Sequence, residues 1–105
     1  MTHKECVMID RFIRHIQTEK RYSEHTLVAY KRDLEQFSDF LKDKYGCDDL
    51  LSVDSGIIRS YIIVLKEEDL KNRSVNRKIS TLRTFYLYCL REKMIAVTPL
   101  VGIKS

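Results

Sequence analysis

The stretch KNRSVNRKISTLRTFYLYCLR, residues 71–91, carries two patterns at once. Val75, Ile79, Leu82, Phe85, Tyr86, Cys89 and Leu90 fall on one side of a helical wheel, the arrangement of an α-helix packed against a core. Asn76, Arg77, Ser80, Thr81, Arg83 and Thr84 fall on the opposite arc. The same stretch holds Lys71, Arg73, Arg77, Lys78, Arg83 and Arg91 and no Asp or Glu. The whole chain has a net charge of only +4, so the remaining residues are net acidic. Hydroxyl, amide and guanidinium groups reach phosphate oxygens and base edges in a major groove, and no carboxylate stands among them to repel a polyanion. A solvated helix face can have the same composition, and this stretch alone does not separate the two readings.

Immediately upstream, Asp54 is placed to cap a helix whose apolar face is Ile57, Ile58, Tyr61, Ile62, Val64 and Leu65, with Arg59, Ser60 and Lys66 between them. Glu67, Glu68 and Asp69 stand at the negative end of that helix dipole, so the helix is expected to stop before them or fray. Three adjacent carboxylates without a His partner read as solvated surface rather than as a metal or acid–base site. Downstream, the basic helix is expected to run from near Ser74 to Glu92 or Lys93. MIAVTPLVGIKS then holds the sole proline, Pro99, followed by Gly102, the composition of an exit into something else. Val97 and Leu100 are available to pack back.

Farther upstream, Val7, Ile9, Phe12, Ile13 and Ile16 stripe an amphipathic helix over residues 5–19. Ser23 is an N-cap for a second helix from Glu24 to about Lys44, with Leu27, Tyr30, Leu34, Phe37, Phe40 and Leu41 on its apolar side and Gly46 as its stop. Ser23, His25, Thr26 and Arg32 gather near the positive end of this helix, which suits a phosphate. Plain capping by Ser23, with Thr26 as a second capping or surface hydroxyl, accounts for the same residues. The run CDDLLSV, residues 47–53, reads as a loop pinned to the core by Leu50, Leu51 and Val53.

At 105 residues there is material for one core and one domain, and 44% apolar with 32% charged residues describes an ordinary globular chain. Three Gly and one Pro leave little turn material for a β fold, so the expected class is all-α, with long helices and short loops. The pI near 9.0 suits an anionic partner. Cys6, Cys47 and Cys89 are odd in number and lack CxxC spacing, which reads as reduced thiols in a cytoplasmic protein. Charges at Lys4, Glu5, Asp10, Arg11 and Arg14 break any apolar leader, and the apolar run 61–65 is too short to span a membrane.

Catalytic equipment is not assembled by any pattern. Gly46, Gly56 and Gly102 do not cluster into a phosphate loop, and His3, His15 and His25 form no HxxxH or HExxH pattern. His3 and Cys6 are spaced as two metal ligands but have no further partners, so they read as surface residues. Neither a cofactor nor a small-molecule substrate is expected. The leading classes are a helical module that binds nucleic acid and a helical module that binds another protein.

Two motifs narrow the choice. S-x-x-T-x-x-x-Y-x-x-D-L-x-x-F at Ser23, Thr26, Tyr30, Asp33, Leu34 and Phe37 precedes S-x-x-R-x-x-S-x-L-R-x-F at Ser74, Arg77, Ser80, Leu82, Arg83 and Phe85 by about fifty residues. Together with Pro99 the pattern resembles the N-terminal core-binding domain of tyrosine recombinases, the phage integrase and Xer-like family, over residues 9–103. The resemblance implies a SAM-like bundle of four main helices in two crossed hairpins, with the second and fourth helices against the major groove of double-stranded DNA. It assigns phosphate or base contacts to Ser23, Thr26, Tyr30, Ser74, Arg77, Ser80 and Arg83. Side-chain chemistry adds His25 and Arg32 on the second helix and Arg73, Asn76 and Thr84 on the fourth.

The family cuts DNA with a C-terminal domain carrying an H-x-x-R pair and a nucleophilic Tyr. None of His3, His15 and His25 is followed by Arg at the third position. The expectation is therefore a core-binding domain over residues 1–98 and the start of a linker at 99–105. Cutting, and other recombinase subunits as partners, would belong to a larger protein. A DNA-independent interaction module is the alternative. A stand-alone helix-turn-helix regulator fits less well, because the helix joints are longer than a tight turn.

Overall fold

The computed structural model describes residues 3–19 and 22–103, with side chains described from Val7 onward in the first helix. Four α-helices form, α1 His3–Glu19, α2 Glu24–Tyr45, α3 Ser55–Glu67 and α4 Asn72–Arg91, with one 3-10 turn at Leu50–Ser52. The described residues contain no strand, in accord with the all-α expectation. The helices pair in chain order, α1 with α2 and α3 with α4, in two compact units that divide between Leu50 and Leu51.

In the first unit the buried apolar side chains are Ile9, Phe12 and Ile16 from α1, Leu27, Leu34, Phe37 and Leu41 from α2, and Leu50. Phe12 stacks against Tyr30 at 6.5 Å between ring centroids, and Lys31 reaches Asp10 at 3.6 Å across the α1–α2 seam. Both partners of that ion pair are half-exposed to solvent, so it contributes no more than about 1 kcal/mol. Val7, expected on the apolar stripe, is exposed, and among the described side chains of α1 the buried stripe starts at Ile9. The Ser23 hydroxyl caps α2 by accepting from the Thr26 amide at 3.3 Å. Gly46 ends the helix at φ 59°, a left-handed conformation that costs glycine nothing. The His3 and Cys6 side chains lie outside the described residues.

In the second unit Asp54 Oδ1 accepts from the Ile57 amide at 2.9 Å and starts α3 as its sequence position implies. The helix ends at Glu67; Glu68 caps it and Asp69 turns the chain at φ 60°. Two of the three clustered carboxylates thus sit beyond the helix. Helix α4 starts at Asn72, two residues before the expected Ser74, with Lys71 in the capping position but no side-chain cap bond. Its far end is a Schellman motif, with the Met94 amide donating to Cys89 O at 2.9 Å and the Lys93 amide to Leu90 O at 3.0 Å. Lys93 occupies the left-handed position at φ 60° where glycine is usual.

The core of this unit is Ile58, Tyr61 and Leu65 of α3 with Val75, Ile79, Leu82, Phe85, Tyr86, Tyr88 and Cys89 of α4, joined by Val53, Leu100 and Ile103. Pro99 is also buried, whereas Val97, read as able to pack back, is exposed. The stretch expected to begin a linker therefore remains fastened to the unit as far as Ile103. No helix among the described residues is long and apolar enough to cross a membrane.

Candidate nucleic-acid interface

Burial along α4 defines the face that remains for a partner. With about 100° of rotation per residue, Arg73, Asn76, Arg77, Ser80, Arg83, Thr84, Leu87 and Arg91 fall within an arc of about 120°. Arg83 and Thr84 are half-buried and the other six are exposed. From Arg73 to Arg91 this stripe is about 27 Å long at 1.5 Å per residue. It carries four guanidinium groups and, with no Asp or Glu anywhere in α4, no opposing charge.

Two polar residues of the stretch, one placed on the polar arc and one counted among its cations, are interior. Thr81, assigned to the polar arc, is 0% exposed and its hydroxyl donates to the Arg77 carbonyl at 3.1 Å. Lys78 is 6% exposed, because its position between the core residues Leu82 and Phe85 on the wheel turns its stem inward. Both have partners and neither adds to the arc. Ser74 is half-buried and lies on the core side of α4, off the stripe that contains Arg77 and Ser80.

Arg83 has a structural duty as well. Its guanidinium donates to the Ile103 carbonyl at 2.7 Å, tying the segment after the helix to the middle of α4. A charge-assisted bond of this kind is stronger than one between neutral groups. Arg83 thus sits at the border of the arc, whereas Arg73, Arg77 and Arg91 project from exposed positions. Sequence reasoning counted Arg91 among the cations but not among the contact candidates. The signal was available, since Arg91 follows Arg73, Arg77, Ser80, Thr84 and Leu87 at helical spacing on one stripe.

The candidates on α2 belong to the other unit and have a different character. Ser23 is exposed, and its oxygen is occupied by the Thr26 amide and lies 3.1 Å from the Thr26 hydroxyl. Thr26 is half-buried. Tyr30, also half-buried, is held between Phe12 and Tyr22, meeting the latter edge-on at 5.6 Å. His25 and Arg32 are exposed on one stripe of α2, seven residues apart. Asp39 and Asp43 follow on that stripe, so its basic character is confined to the helix's N-terminal half.

Among the described residues no three His, Cys, Asp or Glu side chains are grouped to hold a metal. An open depression of about 300 Å³ bordered by Leu51, Tyr86, Met94, Ile95, Val97 and Pro99 includes no carboxylate, imidazole or amine in its lining. Burial pushes the Cys89 thiol from its ordinary 9.0 up to about 12, which makes it a poor nucleophile.

Comparison with known proteins bears on this arrangement. Residues 9–93 match the family model described as phage integrase, N-terminal SAM-like domain. The chain is 41% identical over 95 residues to the tyrosine recombinase XerC of Oceanobacillus iheyensis, covering 90% of this chain and 31% of that protein. It is 37% identical over 99 residues to the XerC of Lacticaseibacillus casei, covering 92% and 33%, and 38% over 89 residues to that of Listeria innocua, covering 85% and 29%. The chain thus spans about a third of the length of these relatives. No solved structure matches. Four helices paired in chain order, together with a family match over most of the sequence, place the chain among the phage integrase N-terminal SAM-like domains of the tyrosine recombinases.

Proposed function

We propose that this domain grips double-stranded DNA through the exposed arc of α4, with the N-terminal half of α2 as a second contact. The observation that carries the reading is the stripe from Arg73 to Arg91, which presents guanidinium, amide and hydroxyl groups on a helix with no carboxylate. Arg73, Arg77 and Arg91 neutralise phosphates, while Asn76, Ser80 and Thr84 lie between them at positions suited to base edges. His25 and Arg32 supply the α2 contribution. Ser23, Thr26 and Tyr30 act chiefly by holding the start of α2 in shape. Arg83 keeps the exit segment docked at the border of the arc.

The similarity to XerC recombinases extends the proposal to the larger protein. There the domain positions a recombination site, with other recombinase subunits as partners, and strand cutting by a catalytic domain lies outside this chain. The setting is the cytoplasm, where the DNA substrate is. Burial of Pro99, Leu100 and Ile103 favours a linker to that domain that begins downstream of them rather than at Pro99.

Fluorescence anisotropy with a mixed pool of duplexes, titrated with salt, tests the reading. About three phosphate contacts on α4 give a loss of roughly 2.7 log units in affinity per log unit of salt. Arg73→Ala/Arg77→Ala should weaken binding and lower that slope by roughly 1.8. A DNA-independent interaction module, favoured by the exposed side chains of Ile63, Val97 and Val101, would show no DNA binding and a salt-tolerant partner.

A further inference from the structure

We infer that Leu87 reads the C5-methyl group of a thymine. The inference rests on the proposal that the α4 arc faces DNA, and it adds an apolar element to a surface otherwise described by charge and hydrogen bonding. Leu87 is 47% exposed in the midst of the arc, one helical turn from both Arg83 and Arg91 and next to Thr84 on the stripe. It is the one apolar side chain among the eight residues of that stripe.

Its neighbours decide what can meet it. An apolar partner protein laid on this part of α4 would have to desolvate the exposed Arg91 guanidinium, one turn away, as well as cover Leu87. A duplex meets both needs together. Its phosphates match the guanidinium groups, and the major-groove floor offers one apolar feature, the thymine methyl. With Arg73 and Arg91 at the two ends of a stripe about 27 Å long, Leu87 lies within the span rather than at its rim, where an apolar side chain would meet only water or phosphate. The same stripe puts Thr84, whose own methyl is apolar, beside Leu87, so the two define a small patch that a cytosine at the same position would leave uncovered.

The test uses the 105-residue chain and a duplex selected by it from a random pool at low salt. Each thymine is then replaced singly by deoxyuridine, which removes the methyl and keeps the pairing. Burial of a methyl-sized group corresponds to about a fourfold change in affinity. Wild-type protein should lose about fourfold at one thymine. Leu87→Ala, with circular dichroism as the check that its helix content matches wild type, should bind more weakly and be indifferent to that replacement. Arg73→Ala should weaken binding to all duplexes and remain sensitive to it. A selected site without thymine, wild-type indifference at every thymine, or retained sensitivity in Leu87→Ala would overturn the inference while leaving the arc as a DNA-binding face. Absence of salt-dependent DNA binding by the folded wild-type chain would overturn the arc reading and the inference with it.

Discussion

The start of α2 and the length of α4 are both rich in hydroxyl and basic residues, yet they use them differently. At the start of α2 the first backbone amides have no partner within the helix, and Ser23 accepts from that of Thr26 while the two hydroxyls meet each other. Tyr30 is engaged by the rings of Phe12 and Tyr22. Along the middle of α4 the backbone groups bond within the helix, and Asn76, Arg77 and Ser80 stand at exposed positions of the stripe. A polar residue at a helix end tends to serve its own chain, and one in the middle of an exposed stripe is available to another molecule.

The sharpest way to break this contrast is to move one step around α4. Thr81→Arg places a guanidinium at a fully buried position, and denaturant unfolding should show a loss of about 3 kcal/mol or more. Ser80→Arg, at the adjacent exposed position, should stay within about 0.5 kcal/mol and tighten DNA binding. If Thr81→Arg were tolerated, the arc would be wider than its burial pattern indicates.

Arg83 separates structural from binding roles within α4 itself. Arg83→Ala removes the donor to Ile103 and should cost roughly 1 to 2 kcal/mol, seen as a lower urea midpoint and earlier proteolysis after Val97. Arg73→Ala, at an exposed position of the first turn, should leave stability within about 0.5 kcal/mol and affect DNA binding alone. Equal stability of the two variants would remove Arg83 from its bracing role.

For α2, Ser23→Ala should cost about 1 kcal/mol of stability through the lost cap. Ser23→Asp should restore it, since aspartate caps as well as serine and suits the helix dipole. Any weakening of DNA binding by Ser23→Asp, at full stability, would reveal a phosphate close to that helix end. Unchanged binding would mark Ser23 as a cap alone.

How much was legible in the sequence follows from the same physics. The apolar periodicity, the Ser23 and Asp54 caps and the Gly46 stop located all four helices, because each is a local signal. The start of α4 was missed by two residues because Lys71 occupies its cap position without a side-chain bond, leaving no chemical mark there. Composition could not tell that Lys78 and Thr81 turn inward, since both types are ordinarily surface residues and the buried sector of α4 is wider than a minimal apolar stripe. Arg83 could not be linked to Ile103 either, because that bond depends on the path of the chain twenty residues later.

Two smaller effects refine the account of the second unit. Lys93→Gly relieves the left-handed position that ends α4 and should raise stability by about 0.5 to 1 kcal/mol, measured by urea unfolding. The Cys89 thiol is pushed up to about 12 by burial, so its contribution to stability is whole below pH 9.0 and is lost as pH rises from there through about 12. Cys89→Ala should flatten that part of the stability curve. In native protein at pH 8 a thiol reagent should modify half-buried Cys47 well before Cys89.

The most direct test of the central claim is NMR titration of the isotopically labelled chain with a short duplex at low salt. The account predicts that side-chain and amide shifts concentrate on Arg73, Asn76, Arg77, Ser80, Thr84, Leu87 and Arg91, with a weaker set at His25 and Arg32. Shifts confined to other surfaces, such as Ile63 on α3, or no shifts at all from the folded chain, would contradict it.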